Sequence, residues 1–217
     1  MALEYGTRIV VNEDFGNAMT YQNLFHQTLA SHEREATVEY ARTEEALRWL
    51  SFYPQDLQHK RQVWTPDINL WDAAYCQFEN QAEVIEGDVN DLGKAINKES
   101  PGMIVCRIDS LSMPDVPNGL KTEGYFYNGG YTIDFLPGVS SKGVAARKLM
   151  ELCGLRAGEV LIAGDAPSDL DMLKIPGVHA LIVENPKVDY DLYPAEIVRV
   201  KPHQLGLYLG SLPFRPR

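Results

Sequence analysis

The sequence predicts an α/β protein: a parallel, Rossmann-like core toward the end of the chain, joined to an α+β unit with an antiparallel sheet. Three observations carry this. From about residue 131 onward, strand-like and helix-like segments alternate, the pattern of βα units. Within that zone Val160-Leu161-Ile162-Ala163 is continuously apolar, as a strand covered on both faces should be. The same strand runs into Gly164-Asp165-Ala166-Pro167-Ser168-Asp169, a turn that places acidic groups at the carboxyl end of a strand, where open α/β sheets bind ligands.

The elements follow in order. Residues 1–17 hold one short strand at 7–11 before a segment of turn composition, too little for a domain. Residues 18–130 read as the α+β unit. Its helices are expected at 21–33, with Leu24, Phe25 and Leu29 on one side, and at 44–52, with Leu47 and Leu50. Strands at 73–78, 103–108 and 123–128 follow, with a helix at 88–98 between the first two and a Pro/Gly-containing connection at 110–121. Residues 131–217 form the third zone: strand 131–136, helix 142–153, strand 159–163, the acidic turn, strands 179–183 and 197–200, and a helix near 203–209.

With 217 residues, 45% hydrophobic and 23% charged, the chain can bury a full core. A net charge of −10 with 20 dispersed basic residues forms no basic stripe, which argues against nucleic acid or an anionic membrane as partner. No run of 18 apolar residues occurs, and the first residues lack the basic and apolar regions of a signal peptide, so the expected location is the cytoplasm. Cys76, Cys106 and Cys153 have no Cys-x-x-Cys spacing and are expected to be reduced and mostly buried. The five histidines show no metal-ligand spacing.

The chemistry concentrates after residue 136. In Pro137-Gly138-Val139-Ser140-Ser141-Lys142-Gly143, Ser140 or Ser141 can cap a helix whose first turn carries Lys142. A cation there opposes the helix dipole unless an anion sits between them. A phosphate would satisfy Lys142, the amides near Gly143 and an adjacent Mg²⁺ together; the plainer reading is a surface lysine that follows a cap. In the acidic turn, the hard oxygens of Asp165 and Asp169 suit Mg²⁺, which takes one or two carboxylates plus water and substrate phosphate. The plainer reading is a loop carboxylate and a cap.

Taken together, these motifs resemble the haloacid dehalogenase superfamily of Mg²⁺-dependent phosphatases. The loop around Lys142 looks like its third motif, and Gly164-Asp165-Ala166-Pro167-Ser168-Asp169 is similar to its fourth, usually Gly-Asp-x-x-Asn-Asp, with Ser168 in place of the asparagine. Thr132-Ile133-Asp134-Phe135-Leu136-Pro137 ahead of Lys142, and Asn185 after the next strand, resemble the sucrose-phosphate phosphatase branch, which inserts a cap domain between its second and third motifs. The resemblance implies that residues 131–217 are core, that 18–130 are the cap, and that 1–17 are a remnant of a core strand. It also implies that Lys142 neutralises phosphate and nucleophile, with Gly143 beside it, while Asp165 and Asp169 hold Mg²⁺ supported by Gly164, Ser168 and Asn185. Asp171 is expected to face solvent, with an outer place near the metal as the other option.

One expected part is absent. The family's first motif, Asp-x-Asp-x-Thr or Val, carries the attacking aspartate, and no such string occurs in these 217 residues. The second motif has only Thr7 as a weak candidate. Tyr5-Gly6-Thr7-Arg8-Ile9 is similar to the strand that follows the second motif, which implies a chain that starts late, lacks the nucleophile-bearing strand, and needs a complementary chain or N-terminal segment. Three functions remain open: a sugar-phosphate phosphatase inactive alone, a non-catalytic sugar-phosphate-binding module, and a regulatory or structural subunit. Trp49, Trp64, Trp71, Tyr53 and Tyr75 could stack on a sugar ring, but filling the cap's small core is the expected role.

Overall fold

The computed structural model of the chain describes residues 2–4, 8–12, 21–52, 60–70, 82–127, 129–185, 191, 193–194 and 197–211. Two compact units divide it: Met1–Ala2 with Val10–Ser140, and Leu3–Ile9 with Ser141–Arg217. Near the start, β1 (Ala2–Glu4), β2 (Arg8–Asn12) and β3 (Tyr21–His26) form a small sheet in that order.

The first unit is built on a six-stranded sheet. Its strands are β4 (Leu47–Phe52), β5 (Gln62–Thr65), β6 (Glu83–Glu86), β7 (Ile104–Ile108), β8 (Lys121–Tyr127) and β9 (Gly130–Leu136), in the order β6-β5-β4-β7-β9-β8. Neighbours are antiparallel except β5 and β6, which run parallel. Helices α1 (Ser31–Thr43) and α2 (Val89–Glu99) share a core with one face of this sheet: Leu29, Tyr40, Leu92 and Ile96 pack with Leu50, Phe52, Trp64, Cys106, Ile133 and Phe135. Leu92 and Ile96 are fully buried, which contributes about 1.5–3 kcal/mol each. The Tyr40 ring meets Phe135 edge-on at 5.4 Å, and burial pushes the Tyr40 hydroxyl's pKa up.

Two expected helices are replaced by strands. Residues 21–26 are β3, and α1 begins only at Ser31, where the Glu33 carboxylate accepts from the Ala30 amide at 2.6 Å. Residues 47–52 are β4, because hydrogen bonding to β5 and β7 on either side outweighs the helical spacing of Leu47 and Leu50. Strand β9, grouped by sequence with the parallel zone, pairs antiparallel with both β7 and β8. Trp49 and Trp64 are buried in the sheet, and the Trp64 indole donates to the Asp88 carbonyl, so both fill the core. The strand expected at 73–78, with Tyr53, Trp71, Tyr75 and Cys76, lies outside the described residues.

The second unit contains α3 (Lys142–Cys153), β10 (Leu161–Gly164), α4 (Leu170–Leu173), β11 (His179–Val183), β12 (Val198–Val200) and α5 (Leu205–Ser211). The three strands form a parallel sheet in the order β10-β11-β12. On one face, Ile162 and Ile182 pack with Ala146 of α3 and with Met172 and Leu173 of α4. On the other face Ala163 and Val198 are exposed, although both sit in register beside the fully buried Leu181. Contrary to expectation, Cys153 is exposed, since it ends α3 just before the left-handed C-cap Gly154, whereas Cys106 is buried. Among the described residues no helix is long and apolar enough to cross a membrane.

The loop that leads out of β9 is held by the first unit. Glu33, 4% exposed, accepts the Gly138 amide at 2.7 Å with its second oxygen. Lys121 donates to the Ser140 carbonyl, and the Ser140 hydroxyl returns to the Pro137 carbonyl at 2.7 Å. Replacing Glu33 by Ala strands two backbone donors, and we expect a loss of about 2–4 kcal/mol in urea denaturation. A change below about 0.5 kcal/mol would contradict the buried double acceptor.

Candidate active site

Local sequence explains how each side chain reaches the site. Ser141 caps α3 by accepting the Val144 amide at 3.1 Å, so the helix starts at Lys142 and that residue projects from the first turn. Strand β10 ends at Gly164, and the chain turns through a 3₁₀ segment, Pro167–Asp169, into α4. Glycine is required at 164 because the turn folds back closely: a Cβ there would lie 2.5 Å from Asp169 Cβ.

Asp169 is the hub. It is 2% exposed, and both its oxygens are engaged. Oδ1 takes the Lys142 ammonium at 2.5 Å, while Oδ2 accepts the amides of Asp165 at 2.9 Å and Ala166 at 3.1 Å. One buried carboxylate therefore closes the turn and orients the lysine. Removing one partner of such a pair leaves an uncompensated buried charge, which costs about 3–5 kcal/mol.

Asp165 is placed differently. Its side chain is exposed and its carboxylate accepts no hydrogen bond from the described residues, while Asn185 donates from Nδ2 to its backbone carbonyl at 3.3 Å. Ser168 lies in the middle of the turn, half-buried. The structure thus brings Lys142, Gly164, Asp165, Asp169 and Asn185 together around the end of β10.

The expected use of the Gly143 amide for phosphate meets a competing use, since it donates to Asp171 Oδ2 at 2.8 Å. Asp171 accordingly does not face solvent as expected. It is half-buried, and the solvent-facing expectation fails because its partner, the Gly143 amide, stands on another helix. The signal available was a side-chain-free residue directly after Lys142 and an acid two positions after Asp169.

A divalent cation can be weighed against this donor set. Asp165 offers hard, exposed oxygens, whereas Asp169 has already committed lone pairs to Lys142 and two amides. Among the described residues no three His, Cys, Asp or Glu side chains converge as a metal cage. The exposed oxygens of Asp165 fit Mg²⁺, which keeps several waters and is held by one or two carboxylates plus phosphate. Electrostatics point the same way. Asp165, Asp169 and Asp171 against Lys142 leave two negative charges, a setting that attracts a divalent cation and repels a lone phosphate.

Residues 117–195 match the family of sucrose-6F-phosphate phosphohydrolases. Over 58 residues the chain is 36% identical to 5-amino-6-(5-phospho-D-ribitylamino)uracil phosphatase YwtE of Bacillus subtilis, a stretch covering 27% of this chain and 20% of that protein. Among solved structures, TM0651 from Thermotoga maritima superposes with a TM-score of 0.66 at 15% identity, over 97% of this chain and 74% of that one. The HAD subclass IIB sugar phosphatase BT4131 superposes with a TM-score of 0.59 at 12% identity, over 88% and 71%.

The tight turn around Asp169 yields a direct expectation. Gly164→Ala forces a methyl group against Asp169, and we expect about 1–3 kcal/mol of destabilisation in chemical denaturation. An unchanged midpoint would contradict the close approach.

Proposed function

We propose, from the premise that this chain belongs to the haloacid dehalogenase superfamily, that it carries the charge-neutralising and metal-holding part of a Mg²⁺-dependent sugar-phosphate phosphatase site. The observation that carries this reading is the Lys142–Asp169 pair beside the exposed Asp165 carboxylate at the end of β10. Phosphoryl transfer is catalysed almost entirely by positioning and charge neutralisation, which is what these groups offer.

In this reading Lys142 binds phosphate oxygens, Asp169 holds the lysine in place, and Asp165 holds the metal, with Asn185 fixing the Asp165 backbone. Because Asp169 is spent on the lysine and two amides, Asp165 is the direct ligand and Asp169 at most an indirect one. Bound Mg²⁺ supplies Lewis-acid neutralisation of the phosphate charge. The α+β part, residues 18–130, would serve as the cap that contacts the sugar. The match to sucrose-6F-phosphate phosphohydrolases supports a sugar phosphate monoester as substrate class.

The attacking aspartate has no candidate in these 217 residues. We assign it to a complementary chain or N-terminal segment that seats a strand beside β10. Supporting this, β10 is the edge of its sheet among the described residues, and Ala163 and Val198 are exposed on a face that a parallel sheet normally covers. The same absence favours a second reading, in which the 217 residues bind a sugar phosphate without hydrolysing it.

The test is an assay against a panel of sugar phosphates. The purified 217-residue chain should release no phosphate, whereas the chain joined to or mixed with a segment bearing Asp-x-Asp-x-Thr should do so with Mg²⁺. In that active form Lys142→Ala or Asp165→Ala should lower kcat/KM on the order of 10²–10³-fold. Undiminished turnover in either variant would refute the assigned roles, and a reconstituted form that binds but never turns over would favour the binding module.

A further inference from the structure

Two links run side by side between the start of α3 and the segment after β10. Lys142 Nζ reaches Asp169 Oδ1 at 2.5 Å, and one residue on, the Gly143 amide donates to Asp171 Oδ2 at 2.8 Å. The second link is between backbone and side chain, and it is tight. A Cβ at position 143 would lie 2.7 Å from Asp171 Oδ2 and 2.9 Å from the Asp171 carbonyl oxygen, so α3 and α4 nearly touch here.

The Asp171 carboxylate is costly where it stands. Its Oδ1 is buried and has no hydrogen-bond partner among the described residues, an unsatisfied acceptor that costs free energy. The positive end of the α3 dipole offsets part of it. A Ser141 cap already serves the helix itself through the Val144 amide, but it ties α3 only to its own first turn. Among the described residues, the Gly143–Asp171 bond is the one that anchors the α3 backbone to the segment that carries Asp169. A lysine has a flexible four-carbon stem, so the direction of its ammonium depends on where its backbone is held.

We infer that Asp171 is a positioning residue for Lys142: by accepting the Gly143 amide it fixes the first turn of α3 so that the Lys142 ammonium meets Asp169 and, on the phosphatase reading above, the substrate phosphate. Asparagine at 171 can still accept the Gly143 amide through its own oxygen; alanine cannot.

The test follows the Lys142 ammonium by nuclear magnetic resonance in the ¹⁵N-lysine-labelled 217-residue chain, with the signal assigned by its loss in Lys142→Arg. The ion pair slows proton exchange with water, so the wild type should show a Lys142 resonance, and Asp169→Asn should lose it. Asp171→Ala should lose it too, and Asp171→Asn should restore it, while amide protection in β10 and β11 stays at the wild-type level in both Asp171 variants. Asp171→Leu replaces the alanine variant if the latter does not fold. An unchanged Lys142 resonance in Asp171→Ala or Asp171→Leu, or its loss in Asp171→Asn, overturns the inference. Adding Mg²⁺ and inorganic phosphate to the wild type reads the parent proposal separately: a Lys142 signal that fails to move counts against the phosphate site, and the variant series still decides the role of Asp171.

Discussion

The site depends on one buried carboxylate. Asp169 cannot leave its place without exposing the amides of Asp165 and Ala166 and releasing Lys142. Its burial at 2% exposure makes each of these bonds matter, because an unpaired buried charge costs far more than a surface one. Gly164 is the precondition, since any side chain there would occupy the space of Asp169 Cβ. From this arrangement the rest follows: Asp165 is turned outward at the end of β10, and the lysine of a different helix is drawn toward the same point.

The distribution of charge then limits what can bind. Lys142 compensates Asp169, so the remaining acids are Asp165, exposed, and Asp171, held against Gly143. A phosphate dianion approaching alone would meet more negative than positive charge. A divalent cation would cancel that excess, and on the function proposed above the two ligands would then be coupled, each raising the affinity for the other by the same factor.

Much of this was legible from sequence where local physics decides. Helix α2 declares itself through the Asp88 cap, whose carboxylate is held below its usual pKa chiefly by the Asn90 and Asp91 amides. Helix α3 is bracketed by Ser141 and by Gly154 at φ 63°. The turn at Gly164 follows from glycine, proline and two aspartates at fixed offsets. Where partners are distant in sequence, the reading failed. The leucines of β4 suit a helix as well as a strand, and only pairing with β5 and β7 selects the strand. Strand β9 precedes Lys142 as a parallel strand would, but its hydrogen bonds go to β7 and β8. Asp171 finds Gly143 across two helices, a contact that no local pattern announces.

The central claim is that Lys142, Asp165 and Asp169 form one cation-dependent phosphate site. Isothermal titration of the purified chain with inorganic phosphate, with and without Mg²⁺, tests it most directly. The account predicts phosphate binding that requires Mg²⁺ and is lost in Asp165→Asn. Binding of equal strength without Mg²⁺, or undiminished in that variant, would contradict it.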